Sequence, residues 1–195
     1  MVTLEERLLN SEMSRPDLAK GIAVGLVSGL VASWVMNQFQ SAWSKRAKGY
    51  EKPHGAQSMQ PSKGEQAAES SSRSEEQQDD ATTRTAKLIS QEVFGHELPE
   101  HQKKAAGALV HYVFGIAMGG FYGGMAELAP QVTKGAGVPF GAVFWVLADE
   151  TVVPLLGLSK GPSGYRLPTH LYALSSHVIY GVTAETTRRV LRRTI

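Results

Sequence analysis

Apolar and polar stretches alternate along the chain on a scale far longer than one helical turn. Residues 21–43, GIAVGLVSGLVASWVMNQFQSAW, carry no charged side chain. As a helix rising 1.5 Å per residue they reach roughly 34 Å, enough to cross a hydrocarbon core of about 30 Å. Three further apolar runs follow: 105–128 (AAGALVHYVFGIAMGGFYGGMAEL), 137–159 (GVPFGAVFWVLADETVVPLLGLS) and 168–187 (PTHLYALSSHVIYGVTAETT). The last is the least apolar, with two histidines and several hydroxyls. The pattern predicts an all-α integral membrane protein with four transmembrane helices, one at 21–43 and three within a membrane domain at 105–187.

The polar intervals predict the rest of the organisation. Residues 1–20 set Leu4, Leu8 and Leu9 on one side among charges and suggest an interfacial helix. A cleaved signal peptide would have a shorter apolar core and a small-residue cleavage site. Here Asn37, Gln38, Phe39 and Gln40 occupy that end, so the first span is expected to be retained. Residues 45–82, which include GEQAAESSSRSEEQQDD, predict a disordered polar linker. Residues 83–104 predict an amphipathic helix and connector, with Leu88, Ile89, Val93 and Phe94 at helical spacing before Gly95. Residues 188–195 form a basic tail, RRVLRR at its core.

Small residues recur every fourth position within the runs. Gly21, Gly25, Gly29 and Ser33 do so in the first, Gly107, Gly115, Gly119 and Gly123 in the second, Gly137 and Gly141 in the third, and Gly181 lies in the fourth. Residues four apart share a helix face, and small ones let helices approach closely in lipid. These glycines are therefore predicted to be packing positions.

The same stripes place the polar residues. Asn37, His111, Asp149 and His177 fall on the small-residue faces and should point into the bundle. With alternating span directions, Asn37 and His111 lie roughly 7–8 Å from mid-span toward the linker side. Asp149 and Glu150 lie on that side too, His177 near the middle and His170 closer to the interface. The predicted intramembrane cluster is Asn37, His111, Asp149, Glu150, His177 and Tyr180. A charged carboxylate in hydrocarbon costs about 2.5–3.5 kcal/mol, so the acids must be protonated, paired or wetted. Imidazole is the available partner, because the spans have no central Lys or Arg. Pro154, four residues after Glu150, lacks the donor for that carbonyl and predicts a kink. Glu127 and Glu185 fall at the opposite face and are expected to pair with Lys20, Arg188 and Arg189.

Charge and composition narrow the functions. A net charge of +2 gives no field for nucleic acid, and the absence of cysteine excludes disulfides and thiolate chemistry. There is no GxSxG, P-loop or dinucleotide fingerprint, so nothing points to an enzyme and no catalytic residue or cofactor is assigned. His111 and His177 with the two acids would suit zinc, iron or manganese, or haem through the histidines, although no HExxH-type spacing is present. Basic residues are evenly split between the two faces, and the compact RRVLRR places both termini in the cytoplasm.

HYVFGIAMGGFYGG, GVPFGAVFWVLADETVVPLLGLS and HLYALSSHVIYGV resemble the YagU-like family of bacterial inner-membrane proteins, whose function is unknown. The resemblance covers residues 105–185, with His111, Asp149, Glu150, Pro154, Gly157, His177, Tyr180 and Gly181 matching the family pattern. It implies a multi-pass inner-membrane protein with a loosely assigned part in acid resistance, and it carries over no catalytic residue. Three functions fit these observations. One is a response to acid through the His–carboxylate layer. Another is a structural or assembly subunit, in a homo-oligomer or a membrane complex, whose stripes dock other helices. The third is a metal- or haem-binding membrane protein. The lipid bilayer is a partner in all three.

Overall fold

The computed structural model describes residues 17–46, 81–159 and 161–194. Most of the predicted N-terminal interfacial segment and most of the predicted linker lie outside them; residues 18–20 belong to the first helix. Among the described residues every regular element is helical: α1 (Leu18–Arg46), α2 (Ala81–Phe94), α3 (Glu100–Leu128), α4 (Val138–Leu147), a π-helical turn (Ala148–Val152), α5 (Val153–Leu155) and α6 (Leu167–Thr194), with short 3-10 turns at Pro130–Thr133 and Pro162–Gly164.

Three helical stretches are long and apolar enough to cross a membrane: Leu18–Trp43, His101–Leu128 and Val138–Leu155. The fourth predicted span, on α6, is as long as the others but too polar to join them by composition. The reason is what α6 buries: Ser176, His177, Tyr180 and Glu185 all face inward. The outward surface of the other helices is apolar, with Leu30, Trp34, Leu109, Phe121, Val143 and Leu147 exposed. A surface of that kind is rare on a soluble domain and ordinary against lipid.

Glycines set the helix seams. A Cβ on Gly25 would overlap the Gly119 carbonyl and fall 2.9 Å from Gly123 Cα, and one on Gly29 would fall 2.9 Å from Gly119 Cα. Gly21 meets Gly123 and Glu127 in the same way, and Gly115 meets Ser33. These contacts run α1 antiparallel to α3. On the far side Gly137 abuts Gly181, and Gly141 abuts the His177 backbone, which runs α4 antiparallel to α6. Near the end of α1, Phe39 stacks on Tyr172 near the start of α6 and Trp43 packs tilted against the same ring, so this pair is antiparallel as well. The α3–α4 seam is different. Phe114 meets Phe144 and Tyr122 meets Phe140, so rings keep that seam wide. Four helices thus close around a core of Ala32, Met36, Phe144, Ala148, Tyr180 and Ala184.

α2 begins at Ala81, inside the predicted linker. Its small first residues Ala81, Thr82 and Thr83 are buried. A Cβ on Gly107 would fall 2.7 Å from Thr83 Oγ1, so the bare glycine of α3 makes room for them. Composition marked this stretch as polar; packing against α3 makes it a helix.

Candidate functional site

The chain between Trp145 and Pro154 is not a regular helix. Pro154 has no N–H, so the Glu150 carbonyl loses its normal donor four residues on. The backbone responds upstream with a π turn over Ala148–Val152, in which the Val153 N–H donates to the Ala148 carbonyl. The Thr151 hydroxyl donates to the Val146 carbonyl at 2.9 Å and caps the widened turn. The irregularity therefore begins upstream of Pro154, which itself opens the short α5. Single π turns of this kind are frequent at functional sites. This one carries Asp149 and Glu150.

Each acid faces a histidine of α6. Glu150 Oε1 lies 2.7 Å from His170 Nδ1. Asp149 Oδ2 lies 3.8 Å from His177 Nδ1, which is also 3.0 Å from the Ala173 carbonyl. The two pairs differ in depth. His170 and Glu150 are partly exposed, at 20% and 16%, whereas His177 and Asp149 are at 4% and 8%. His170 Nε2 sits 2.9 Å from the Pro162 carbonyl, in the loop before α6. Both ring nitrogens of His170 thus face oxygens of acceptor groups. A neutral imidazole donates from one nitrogen only. The observed contacts are both bridged only when the pair holds one more proton than a neutral histidine with an ionised glutamate.

Inward of these pairs is a cavity of about 20 Å³, room for one water-sized particle. All four long helical segments contribute to it. Ser33 and Met36 come from α1, His111 from α3, Phe144 and Asp149 from α4 and its π turn, His177 and Tyr180 from α6. Ser33 Oγ is buried with no hydrogen-bond partner. The Tyr180 hydroxyl donates to the Gly115 carbonyl at 2.5 Å.

Of the six predicted cluster residues, His111, Asp149, His177 and Tyr180 line this cavity. Glu150 turns instead to His170. Asn37 lies one turn of α1 from Ser33 and outside the lining, with Oδ1 buried and unpartnered. Sequence reasoning missed His170 because it assigned that residue a shallower depth than the acids. Successive helical residues diverge by about 100°, so adjacent acids can reach partners two turns apart. The seven-residue spacing of His170 and His177 was the signal available. Ser33 and Trp145 were also missed as site residues. The Trp145 ring packs edge-on to His170 at 6.3 Å, and its Nε1 is buried without a partner.

The other end of the bundle is packed by rings and arginines. Tyr122, Phe140 and Phe144 stack in succession, and Tyr180 meets Phe144 edge-on. Glu185 accepts from Tyr122 at 3.0 Å, from Arg188 at 2.7 and 3.0 Å, and from Arg189 at 2.5 Å. Glu127 is held by Arg192 through two bonds of 2.8 and 2.9 Å. These carboxylate bonds raise the Arg188 and Arg192 guanidinium groups above their ordinary value.

Among the described residues no three His, Asp or Glu side chains converge closely enough to hold a metal ion. Comparison with curated proteins and with solved structures gave no match. The family model of DUF1440, described as a protein of unknown function, matches residues 82–186, a span that holds both His–carboxylate pairs and His111 but not α1, and the chain belongs to that family.

Proposed function

We propose that this is a proton-responsive multi-pass protein of the bacterial inner membrane, with four spans and both termini in the cytoplasm. The length of α6 and its antiparallel packing on α1 and α4 support it as the fourth span, its polar groups shielded by neighbours. The interhelical glycine contacts support one bundle held by close backbone approach in lipid. Because those stripes are occupied within the chain, a partner helix would have to use another face.

The observation that carries the proposal is the pair of contacts made by His170, Nδ1 to Glu150 Oε1 and Nε2 to the Pro162 carbonyl, which are both hydrogen bonds only with one proton more than a neutral ring and an ionised carboxylate hold. Imidazole is the side chain whose charge changes between about pH 5 and 8. With the proton present, His170 ties the loop before α6 to the π turn. With it gone, one ring nitrogen presents a lone pair to an oxygen and that tie is lost. Asp149 shares the π turn, so the change reaches the cavity. The aromatic stack and the Glu185 cluster close the far side, which favours proton uptake from one face without conduction. Acid tolerance is the physiological role this would serve.

The test is a pH titration of Trp145 fluorescence in the full chain with Trp34→Phe and Trp43→Phe, paired with proton flux in liposomes. The expected result is quenching on acidification from about pH 8 to 5, loss of that response in His170→Gln and in Glu150→Gln, and no flux. A flat titration in the parent would refute the proposal. Flux abolished by Asp149→Asn would replace a sensor with a conductor.

A further inference from the structure

We infer that the exposed basic face at the end of α6 binds the phosphate of an anionic phospholipid, whose apolar part covers the valines beside it. This site depends on α6 being a membrane span, as proposed above, and not on the proton response.

The length of α6 sets the depth. Its 28 residues reach about 42 Å, against a hydrocarbon core of about 30 Å. The helix starts with Leu167 and Leu171 exposed, which suits contact with lipid tails. Counted from Leu167, Arg189 lies about 33 Å along the axis and Arg193 about 39 Å. Both therefore reach the headgroup layer.

The four arginines at that end are not equivalent. Arg188 and Arg192 each spend two bonds on one carboxylate, Glu185 and Glu127 respectively. Arg189 meets Glu185 through Nε and the Thr133 carbonyl through Nη2, yet its side chain is 48% exposed. Arg193, four residues on, is exposed and has no ion pair among the described residues. The Thr133 contact brings the turn between α3 and α4 alongside, and there Lys134 is exposed and also without an ion pair among the described residues. Glu185 is already saturated by Tyr122 and two arginines. Like charges four apart on a helix repel, and a phosphate seated on them offsets that repulsion. Guanidinium suits phosphate in charge and in the geometry of its paired donors.

The apolar neighbours select a lipid over a free anion. Val190, between the two arginines in sequence, is 57% exposed, and Val138, at the start of α4, is 42% exposed. Inorganic phosphate would leave both wet, whereas a phospholipid covers cations and valines together.

The test is native mass spectrometry of the purified full chain in detergent, with equal phosphatidylglycerol and phosphatidylcholine. One basic residue beside the headgroups is worth about fivefold in affinity. The parent should prefer phosphatidylglycerol. Arg193→Gln should lower that preference about fivefold, and Arg193→Gln with Lys134→Gln about 25-fold. Lys104→Gln with Arg166→Gln makes the same charge change at the opposite end and should leave the preference intact. No preference in the parent, or equal losses in the two double variants, would overturn the inference. So would inorganic phosphate raising the parent's unfolding temperature as far as phosphatidylglycerol does, since the face would then take a free anion. Flotation with phosphatidylcholine vesicles separates this site from the span it depends on. A chain that floats and resists alkaline extraction, but shows no preference for phosphatidylglycerol, keeps the span and loses the site. A chain that stays in solution loses both.

Discussion

Glu185 and Asp149 are two acids inside one bundle, at 1% and 8% exposure, and they are surrounded in opposite ways. Glu185 receives four hydrogen bonds from Tyr122, Arg188 and Arg189, in a region packed by aromatic rings. Asp149 sits beside a cavity, with a histidine 3.8 Å away and an unpartnered serine hydroxyl in the same wall. A buried charge is tolerable when its geometry is saturated, and its loss then leaves partners stranded. Glu185 fits that description and acts as a clamp between α3 and α6. On the function proposed above, the surroundings of Asp149 would change with a proton, and the π turn would put that change where the backbone is already irregular. Burial alone does not characterise a buried acid; the kind of group around it, arginine or imidazole, distinguishes these two.

The largest expected effect would break the comparison by removing the frame of both sites. Gly119→Leu drives a side chain into the backbone of Gly25 and Gly29. It should abolish a monodisperse folded species, as read by size exclusion and circular dichroism; a normal elution profile would mean that the seam is not needed. Next is Glu185→Ala, which strands Arg188, Arg189 and Tyr122. It should lower stability by about 3 kcal/mol, measured by thermal unfolding in detergent, and leave the variation of stability between about pH 5 and 8 unchanged, since carboxylate titration lies below that range. The smallest effect sharpens the contrast. Asp149→Asn keeps the side chain's shape and should stay within about 1 kcal/mol of the parent at neutral pH. Between about pH 5 and 8 its stability should vary less than the parent's. Equal losses for Glu185→Ala and Asp149→Asn would erase the distinction.

Much of the architecture was legible in the chain. Apolar runs of helical length, one uncharged over 21–43, announced helices long and apolar enough to cross a membrane. Four-residue spacing put His111, Asp149 and His177 on inward faces, because helical periodicity alone decides which positions share a face. Proline chemistry announced an irregularity near Pro154. Its form, a π turn starting upstream at Ala148, was not legible, since hydropathy and proline position do not say which carbonyl each displaced N–H will take. The first residues of α2 were hidden too, because Ala81 and Thr82 look like linker until the Gly107 region of α3 gives them a surface.

By itself the sequence determined which elements exist and which face of each turns inward, since these follow from local period and hydropathy. Only the tertiary structure decided the partners: Glu150 with His170, Arg192 with Glu127, Ser33 rather than Asn37 at the cavity. Those choices depend on the axial offset between helices packed backbone to backbone. That offset is set by steric contact between residues far apart in the chain, and no spacing within one helix encodes it.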